Sequence, residues 1–401
     1  MFLSFTSGIN EPIVEDISRK NNEPEWMLKK RLDALSYYKM LEEPKFKYGI
    51  GITAKQNPMV VNSISKSKKN VHSKNKNVII EDFSTALKNN EALLKENFMS
   101  KCLNPSEDKY VALHNALLSN GTLIVIPKGV NENETITINL YNSQESEFNS
   151  ILIIAEKDSK ATIVLQKLSN ENNLFTSDTL EIIAKESSTL NIIQIQDLNI
   201  KTSNLSNIKA VLDNNAILNF IDAGLGSKFL KSKNTTILRG TGSEYNNYSL
   251  NFSSLNQCYD LNSSAIHKSP STKSKIISTN IVDDNSKLIF NGLIKIEKDA
   301  ANSQAYQKEE NLLLNPNAEV CPIPNLEIDN YDVKCSHAAT TTNIDEEKIF
   351  YLMSRGLSEE QAIKSVTKGF FNKFLDIIKE RPILEIINNA IYKKSKYEYL
   401  S

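Results

Sequence analysis

A thiol and an imidazole stand two residues apart in the segment Asp332-Val-Lys-Cys335-Ser-His337. If this segment is an extended strand, positions i and i+2 project to the same face, so Cys335 and His337 would lie side by side. A thiolate next to an imidazole can bind iron or zinc. Two ligands do not complete a tetrahedral site, so further donors must come from distant positions or from another chain. The alternative is a buried structural cysteine beside a hydrogen-bonded histidine.

Other kinds of chemistry find little support in the sequence. The motifs G-x-x-x-x-G-K-S/T, G-x-G-x-x-G, H-E-x-x-H and G-x-S-x-G do not occur, so we expect no nucleotide bound by this chain and no enzymatic activity. With 47 basic and 48 acidic side chains, the net charge of −1 gives no general attraction to nucleic acid or to membranes. Four widely spaced cysteines, without a secretory signal, favour a reducing cytoplasmic setting.

The elements that must position the Cys335–His337 pair are strands. From Gly121 onwards, short runs rich in β-branched residues follow one another without a helical pattern, which predicts a mainly β region over 119–343. No run of apolar residues is long enough for a membrane-spanning helix.

A faint repeat runs through this β region. Asp158, Glu186 and Asp213 each begin a phrase of one acidic, two polar and one small residue followed by a strand, at spacings of 28 and 27 residues. Gly242 begins another copy 29 residues on, and Asp284 follows after a further 42, or one and a half periods. Such a period is typical of the stacked coils of a β-solenoid. A β-sandwich with turns at shorter spacing is the alternative.

Helical patterns flank the β region and define an N-terminal region over 1–118. Asn22 as a cap and Pro24 in the first turn predict a helix from Glu23 to about Leu41. Helical spacing returns over 83–118. Between these segments, the lysine-rich stretch near 64–78 predicts a solvated linker, and its lack of aromatic residues argues against nucleic acid binding.

The C-terminal region over 344–401 returns to helix. Asp345 supplies an acidic helix start, Arg355-Gly356 an end, and Ser358-x-x-Gln361 a capping box for a second helix. An apolar stripe follows along this second helix until Pro382. The stripe consists of Ala362, Ile363, Val366, Phe370, Phe374, Ile377 and Ile378. Such a stripe is typical of a core, although part of it could remain free for a partner.

Several segments together resemble the SufB/SufD family of iron–sulfur cluster assembly proteins, over about residues 10 to 380. The similar segments are Asn22-Glu-Pro-Glu-Trp-Met-Leu to Leu35, Lys39-Met-Leu-Glu-Glu-Pro44, His267-Lys-Ser-Pro-Ser-Thr272, Asn311-Leu-Leu-Leu-Asn315, Asp332-Val-Lys-Cys-Ser-His-Ala-Ala-Thr340 and Phe350-Tyr-Leu-x-x-Arg355-Gly356. The last two are the most specific.

The resemblance implies a right-handed parallel β-helix between α-helical ends, acting as a scaffold for iron–sulfur cluster assembly. It implies that two paralogous β-helix subunits pair, or two copies of one chain, and that each docks the SufC ATPase through its C-terminal helices. His337 and Cys335 would then be ligands for iron or a transient cluster at the subunit interface. The expected ATPase contacts are Phe350, Tyr351, Arg355, Phe370 and Phe374.

The resemblance is divided between the two paralogues. The Glu-Pro-Glu-Trp-Met-Leu start and the Ala-Thr-Thr after His337 resemble SufB, whereas Asp-Val-Lys-Cys-Ser-His resembles SufD. SufB-type chains carry a functional cysteine where this chain has Glu309, and Glu-His-Glu where it has Cys335-Ser-His337. These differences favour a SufD-type accessory scaffold over a SufB-type primary scaffold. A carbohydrate-active β-helix enzyme and a metal-free structural β-helix are the remaining alternatives.

Overall fold

The chain folds around two nine-stranded sheets in a computed structural model that describes residues 9–42, 68–72, 77–376, 378 and 381–394. Helices flank the sheets on both sides along the sequence, as the sequence patterns predict. The helices are α1 (Glu11–Lys20), α2 (Glu25–Met40), α3 (Phe83–Asn89), α4 (Glu91–Asn97), α5 (Lys109–Leu117), α6 (Glu346–Ser354), α7 (Glu359–Leu375) and α8 (Arg381–Lys394). Within the described residues, none of them has the length and apolar character needed to cross a membrane.

The strands alternate between the two sheets along the chain from β3 onwards. They are β1 (Lys68–His72), β2 (Ile79–Asp82), β3 (Asn120–Ile126), β4 (Ile136–Asn142), β5 (Ser146–Ala155), β6 (Lys160–Ser169), β7 (Phe175–Ala184), β8 (Thr189–Asp197), β9 (Ser203–Leu212), β10 (Ile217–Gly224), β11 (Phe229–Leu238), β12 (Glu244–Ser253), β13 (Cys258–His267), β14 (Lys273–Val282), β15 (Lys287–Ile296), β16 (Ser303–Leu313), β17 (Glu319–Ile328) and β18 (Val333–Asn343). The even sheet runs β1-β4-β6 and onwards to β18, and the odd sheet runs β2-β3-β5 and onwards to β17.

From β3 onwards, every strand pairs in parallel with the strand one coil away, which confirms the β-solenoid and excludes the sandwich alternative. Lys160, Thr189, Ile217 and Glu244 stand opposite one another in successive coils, at offsets of 29, 28 and 27 residues. Each coil thus places equivalent residues in line along the axis, as stacked solenoid repeats require.

The acidic phrase of the sequence repeat marks one corner of the coil. A residue with positive φ occupies this corner in six successive coils: Asp158, Ser187, Asn215, Gly242, Ser271 and Asn302. The corners stack through backbone hydrogen bonds, such as that from the Asp158 amide to the Glu186 carbonyl at 3.0 Å. Asp284 belongs to the opposite corner with Ser227 and Leu255, which is why it lies one and a half periods after Gly242.

The inside of the solenoid is aliphatic along most of its width and polar towards one side. Ile153, Ile182 and Ile192 belong to the aliphatic cluster, in which all members are buried. The polar side contains a buried ion pair, with Lys167 Nζ 3.3 Å from the carboxylate of Asp178.

An amide ladder on the polar side runs toward the last coil. Asn251 Nδ2 donates to Asn280 Oδ1 at 2.9 Å, Asn280 Nδ2 to Asn311 Oδ1 at 2.8 Å, and Asn311 Nδ2 to Thr341 Oγ1 at 3.3 Å. Stacked polar side chains thereby satisfy one another inside the fold, and the final rung lies on β18.

The N-terminal helices cover the outer face of the odd sheet. Phe83 and Phe98 pack there against Leu123 and Leu152 of the strands. The buried Arg31 guanidinium pairs with a Glu23 carboxylate oxygen at 2.6 Å and also donates to the backbone carbonyls of Ala116 and Leu118 at the end of α5. A buried charge with an ion pair and backbone acceptors holds α2 in place.

The predicted N-terminal elements need three corrections. Asn22 does not cap a helix, because it has a positive φ of 51° in the turn between α1 and α2, and Pro24 precedes α2 instead. Helix α1 was not predicted; Asn10 caps it by accepting from the Ile13 amide. In the lysine-rich linker, residues 68–72 form the edge strand β1, antiparallel to β4; residues 64–67 and 73–76 lie outside the described residues. Lysines are common on such edges because they discourage further strand pairing.

Helices α7 and α8 cover the outer face of the even sheet. Phe371 and Ile387 are buried there against Leu250 and Phe252. The predicted capping box is confirmed, because Ser358 and Gln361 satisfy each other's backbone amides. Of the predicted stripe, Ile377 lies outside the described residues.

Candidate functional site

The solenoid ends in an open coil formed by β17 and β18. Each is the last strand of its sheet, and no other described segment pairs with its outer edge. Residues Ser336 to Asn343 of β18 are all exposed, whereas the strands of the preceding coils are mostly buried. The mouth, which we define as β17, β18 and the inward residues of β16, is therefore the place where the inside of the fold meets solvent.

Cys335 lies at the rim of the mouth. Its Cα partner on β16 is Ala305, and its side chain is half-buried against the aliphatic interior. Burial raises the pKa of the Cys335 thiol, because a thiolate is poorly solvated there. The thiol is consequently neutral until a nearby cation favours the thiolate.

His337 lies two residues further along the same extended strand. Its Cα partner is Gln307, and its side chain is exposed. Alternation along β18 places His337 on the same inward row as Cys335, which agrees with the sequence prediction that both residues share a face. The structure adds the difference in burial: the thiol faces the interior and the imidazole is exposed at the mouth.

Two residues beneath this row were not recognised as site residues in the sequence. Gln307 and Glu309 occupy inward positions on β16, and both are fully buried. Burial raises the pKa of Glu309 to about 7, and the Asn311 side chain offsets the shift only in part. Burial raises the pKa of the Cys321 thiol, and the negative charge of Glu309 raises it further. The sequence signal that could have identified them is strand alternation: if Ala305 points inward, Gln307 and Glu309 at i+2 and i+4 must point inward as well.

Cys335 and His337 have no third ligand of the His, Cys, Asp or Glu type beside them among the described residues. Within the described ranges, no three side chains of His, Cys, Asp or Glu converge in a way that could hold a metal ion.

Helix α6 presents an apolar surface beyond the mouth. None of its residues is buried. Phe350 is 74% exposed and Tyr351 is 56% exposed, and Met353 lies with them. The Arg355 guanidinium stacks over the Tyr351 ring at 5.2 Å from its centroid. We call Phe350, Tyr351, Met353 and Arg355 the α6 patch; exposed apolar groups of this kind usually mark an interaction surface.

The two other predicted partner residues lie differently. Phe374 is 3% exposed and packs with the even sheet, and Phe370 is half-buried against the same cluster. The prediction that the Phe374 side chain is available to a partner is therefore wrong. The apolar stripe of α7 faces the even sheet of the solenoid, because the apolar outer residues of that sheet are buried by packing against it.

His114 and Cys102 have structural roles. His114 is buried, with its ring nitrogens 2.9 Å from the hydroxyls of Ser177 and Ser150. Burial lowers the pKa of His114 to about 3, so its imidazole stays neutral. The Cys102 thiol donates to the Ile182 carbonyl at 3.5 Å.

Comparison with known proteins identifies the family of this chain. The sequence profile described as "SUF system FeS cluster assembly, SufBD core domain" matches residues 138–370, more than half of the chain. An iron–sulfur cluster assembly SufBD family protein of Staphylococcus haemolyticus is 27% identical, and the iron–sulfur cluster assembly protein SufB of Bacillus subtilis is 26% identical. Both alignments cover 92% of this chain and 89% of the relative. This chain is thus a member of the SufBD family of the SUF system for iron–sulfur cluster assembly.

Proposed function

We propose that this chain is a non-enzymatic scaffold subunit that pairs, through its mouth, with a paralogous SufB-like β-helix subunit. Iron or a transient iron–sulfur cluster, the cargo of the assembly, would be held between the two subunits. One observation carries the proposal: two strand edges that no described segment pairs lie at the same end of the fold as a half-buried thiol and an exposed imidazole. The four cysteines are unpaired, which suits a reducing cytoplasm.

Pairing at the mouth follows from the chemistry of a strand edge. The outer edges of β17 and β18 present backbone N–H and C=O groups in register, which a strand of another chain can satisfy. A second subunit brought to this edge would place its own side chains next to Cys335 and His337. Those side chains would supply the ligands that this chain lacks.

A SufD-like role is supported by the residues under the mouth. Glu309 stands where SufB-type chains carry their functional cysteine; it is buried, and β16 contains no cysteine. A hard carboxylate oxygen is a poor substitute for a soft thiolate in sulfur chemistry. The primary sulfur-accepting role would accordingly belong to the paralogue, and this chain would contribute Cys335 and His337.

The α6 patch is the proposed dock for a SufC-like ATPase. It has exposed aromatic side chains next to an arginine, a composition typical of interaction hot spots. The chain carries no nucleotide-binding motif of its own, so nucleotide hydrolysis would be supplied by the docked subunit.

The ligand role is tested with the reconstituted complex of this chain, the paralogue and the ATPase. His337→Ala should lower the yield of assembled cluster, measured by visible absorption, while the subunits still copurify. Lys334→Ala is the matched control, because Lys334 is also exposed on β18. A His337→Ala complex that assembles cluster as well as the control would remove His337 from the site.

The docking role is tested by copurification of the ATPase. Phe350→Asp should release the ATPase without affecting the fold, since Phe350 packs against little else in the chain. Tyr141→Asp is the control, because Tyr141 is exposed on β4 at the other end of the solenoid. Retention of the ATPase by the Phe350→Asp chain would place the dock elsewhere.

A further inference from the structure

Two buried side chains at the mouth have polar atoms that no described part of the chain satisfies. Both side-chain polar atoms of Gln307 are without a hydrogen-bond partner among the described residues, and the carboxylate oxygens of Glu309 lack a hydrogen bond of normal geometry there. The Asn311 side chain near this carboxylate donates to Thr341 Oγ1 at 3.3 Å instead. Both side chains have no exposed surface. Buried polar groups normally find partners, and an unpaired buried carboxylate is especially unfavourable.

The position of these groups is set by the strand register. Gln307 lies directly under His337, and Glu309 lies under Ala339. The Gln307 side chain crosses the interior, because a Cβ built on Gly292 of the odd sheet would lie 2.1 Å from Gln307 Nε2. Gln307 and Glu309 therefore lie one strand below β18, and the Gln307 amide reaches across the interior to the odd sheet, so that the two side chains form the floor of the mouth.

The neighbouring charges do not neutralise Glu309. Lys308 and Glu310 flank it in sequence, but alternation turns both outward, and they pair with each other at 2.9 Å. Within the described part of the chain, no lysine or arginine forms an ion pair with Glu309. No positive side chain in this part of the chain therefore offsets the attraction of the Glu309 carboxylate for an added cation. The attraction is strong because the surroundings have a low dielectric constant.

The donor types at the floor select the class of ligand. A carboxylate oxygen and an amide oxygen are hard donors, and the imidazole above them is a borderline donor suited to first-row transition metals. We propose that Glu309 and Gln307 form the floor of a binding site for a divalent first-row cation such as Fe²⁺, with His337 as its outer ligand. Solvent or a partner subunit would fill the remaining coordination positions.

This inference deepens the proposed function, because it names residues that would receive iron inside this chain. It requires no partner, so the two can fail separately. A chain that binds the cation but does not pair keeps this inference and loses the proposed pairing. A chain that pairs with its paralogue but does not bind the cation keeps the proposed pairing and loses this inference.

The test measures Co²⁺ binding to the full, metal-free chain by titration calorimetry and visible absorption under anaerobic conditions. Glu309→Gln should weaken Co²⁺ binding by at least about tenfold, and His337→Ala should weaken it as well. Glu310→Gln is the matched control, because it removes the neighbouring outward carboxylate, and its affinity should equal that of the unmodified chain.

The result that overturns the inference is equal Co²⁺ affinity in the Glu309→Gln chain and the control, or no binding by the unmodified chain. A sulfur-to-cobalt charge-transfer band of full intensity in Glu309→Gln would likewise assign binding to Cys335 without the floor. Circular dichroism checks that the variant is folded. If it is not, Gln307→Met removes the amide oxygen at similar length and should show the same loss of binding.

Discussion

Gly292 is the residue that makes room for the floor of the mouth, and replacing it tests how tightly Gln307 is held. A Cβ at this position would lie 2.1 Å from Gln307 Nε2 and 2.5 Å from its Cδ. Real Cβ contacts are never this short, so Gly292→Ala must displace the amide or the backbone. Adding a methyl group to a packed interior costs about 1–3 kcal/mol, and Gly292→Ala should lie at the lower end of this range because the displaced atoms are the end of a flexible side chain.

Gly369 provides the opposite case in the same chain. It lies inside α7 with nothing within 4 Å of an added Cβ, so Gly369→Ala should stabilise the fold by about 0.5–1 kcal/mol through helix propensity. In urea unfolding followed by circular dichroism, the midpoint urea concentration should therefore be lower for Gly292→Ala and higher for Gly369→Ala than for the unmodified chain.

A double-mutant cycle assigns the cost to one contact. When Gln307 is shortened to Ala, the added methyl of Gly292→Ala has space, so the double variant should recover at least about 1 kcal/mol relative to the sum of the single changes. An additive cycle, or a Gly292→Ala chain as stable as the unmodified one, would show that the Gln307 side chain does not cross the interior as described.

Three further changes report on other parts of the fold. Burial raises the pKa of Glu181 from 4.5 to about 7. Between these pH values the folded state keeps a proton that the unfolded state has lost, so the free energy of unfolding falls by about 3 kcal/mol as pH rises through them. Urea unfolding at pH 5 and pH 8 should show that Glu181→Gln lacks this contribution; an equal loss of stability in the variant and the unmodified chain would contradict it. Lys394→Met removes the hydrogen bonds from Lys394 to the Phe252 carbonyl and the Gln257 amide oxygen. These acceptors keep Tyr259 and Ser254 as donors, so the change should cost about 1 kcal/mol in the same assay; no loss would show that Lys394 does not hold α8. Ser358→Ala removes the capping box of α7 and should cost about 1 kcal/mol, whereas Ser354→Ala, at the end of α6, should cost less.

The period of the coil could be predicted from sequence because a corner has a local requirement. Each coil needs a residue with positive φ, and Asp158, Ser187 and Asn215 meet it with polar residues that tolerate this conformation. The choice between solenoid and sandwich could not be made locally, because both use the same short strands. Only the parallel pairing between residues about 28 positions apart separates them, and that pairing is nonlocal.

The site could be predicted only where alternation alone decides it. Cys335 and His337 share a face in any extended strand, whatever it packs against. Gln307 and Glu309 required knowledge of which face of β16 points inward, and that depends on the opposite sheet. Phe374 shows the same limit, since an apolar helix stripe does not reveal whether it packs on its own chain or on another.

The two edges at the mouth are chemically different, and this difference predicts where a partner strand adds. Strand β17 contains Pro322 and Pro324, and proline has no N–H to donate, so its edge is a poor template for pairing. Strand β18 has eleven residues and no proline. On mixing with the paralogous subunit, amides of β18 should gain protection from hydrogen exchange, measured by mass spectrometry, while those of β17 change less. Protection confined to β17, or absent from both strands in a stable complex, would show that the subunits do not join by strand addition at β18.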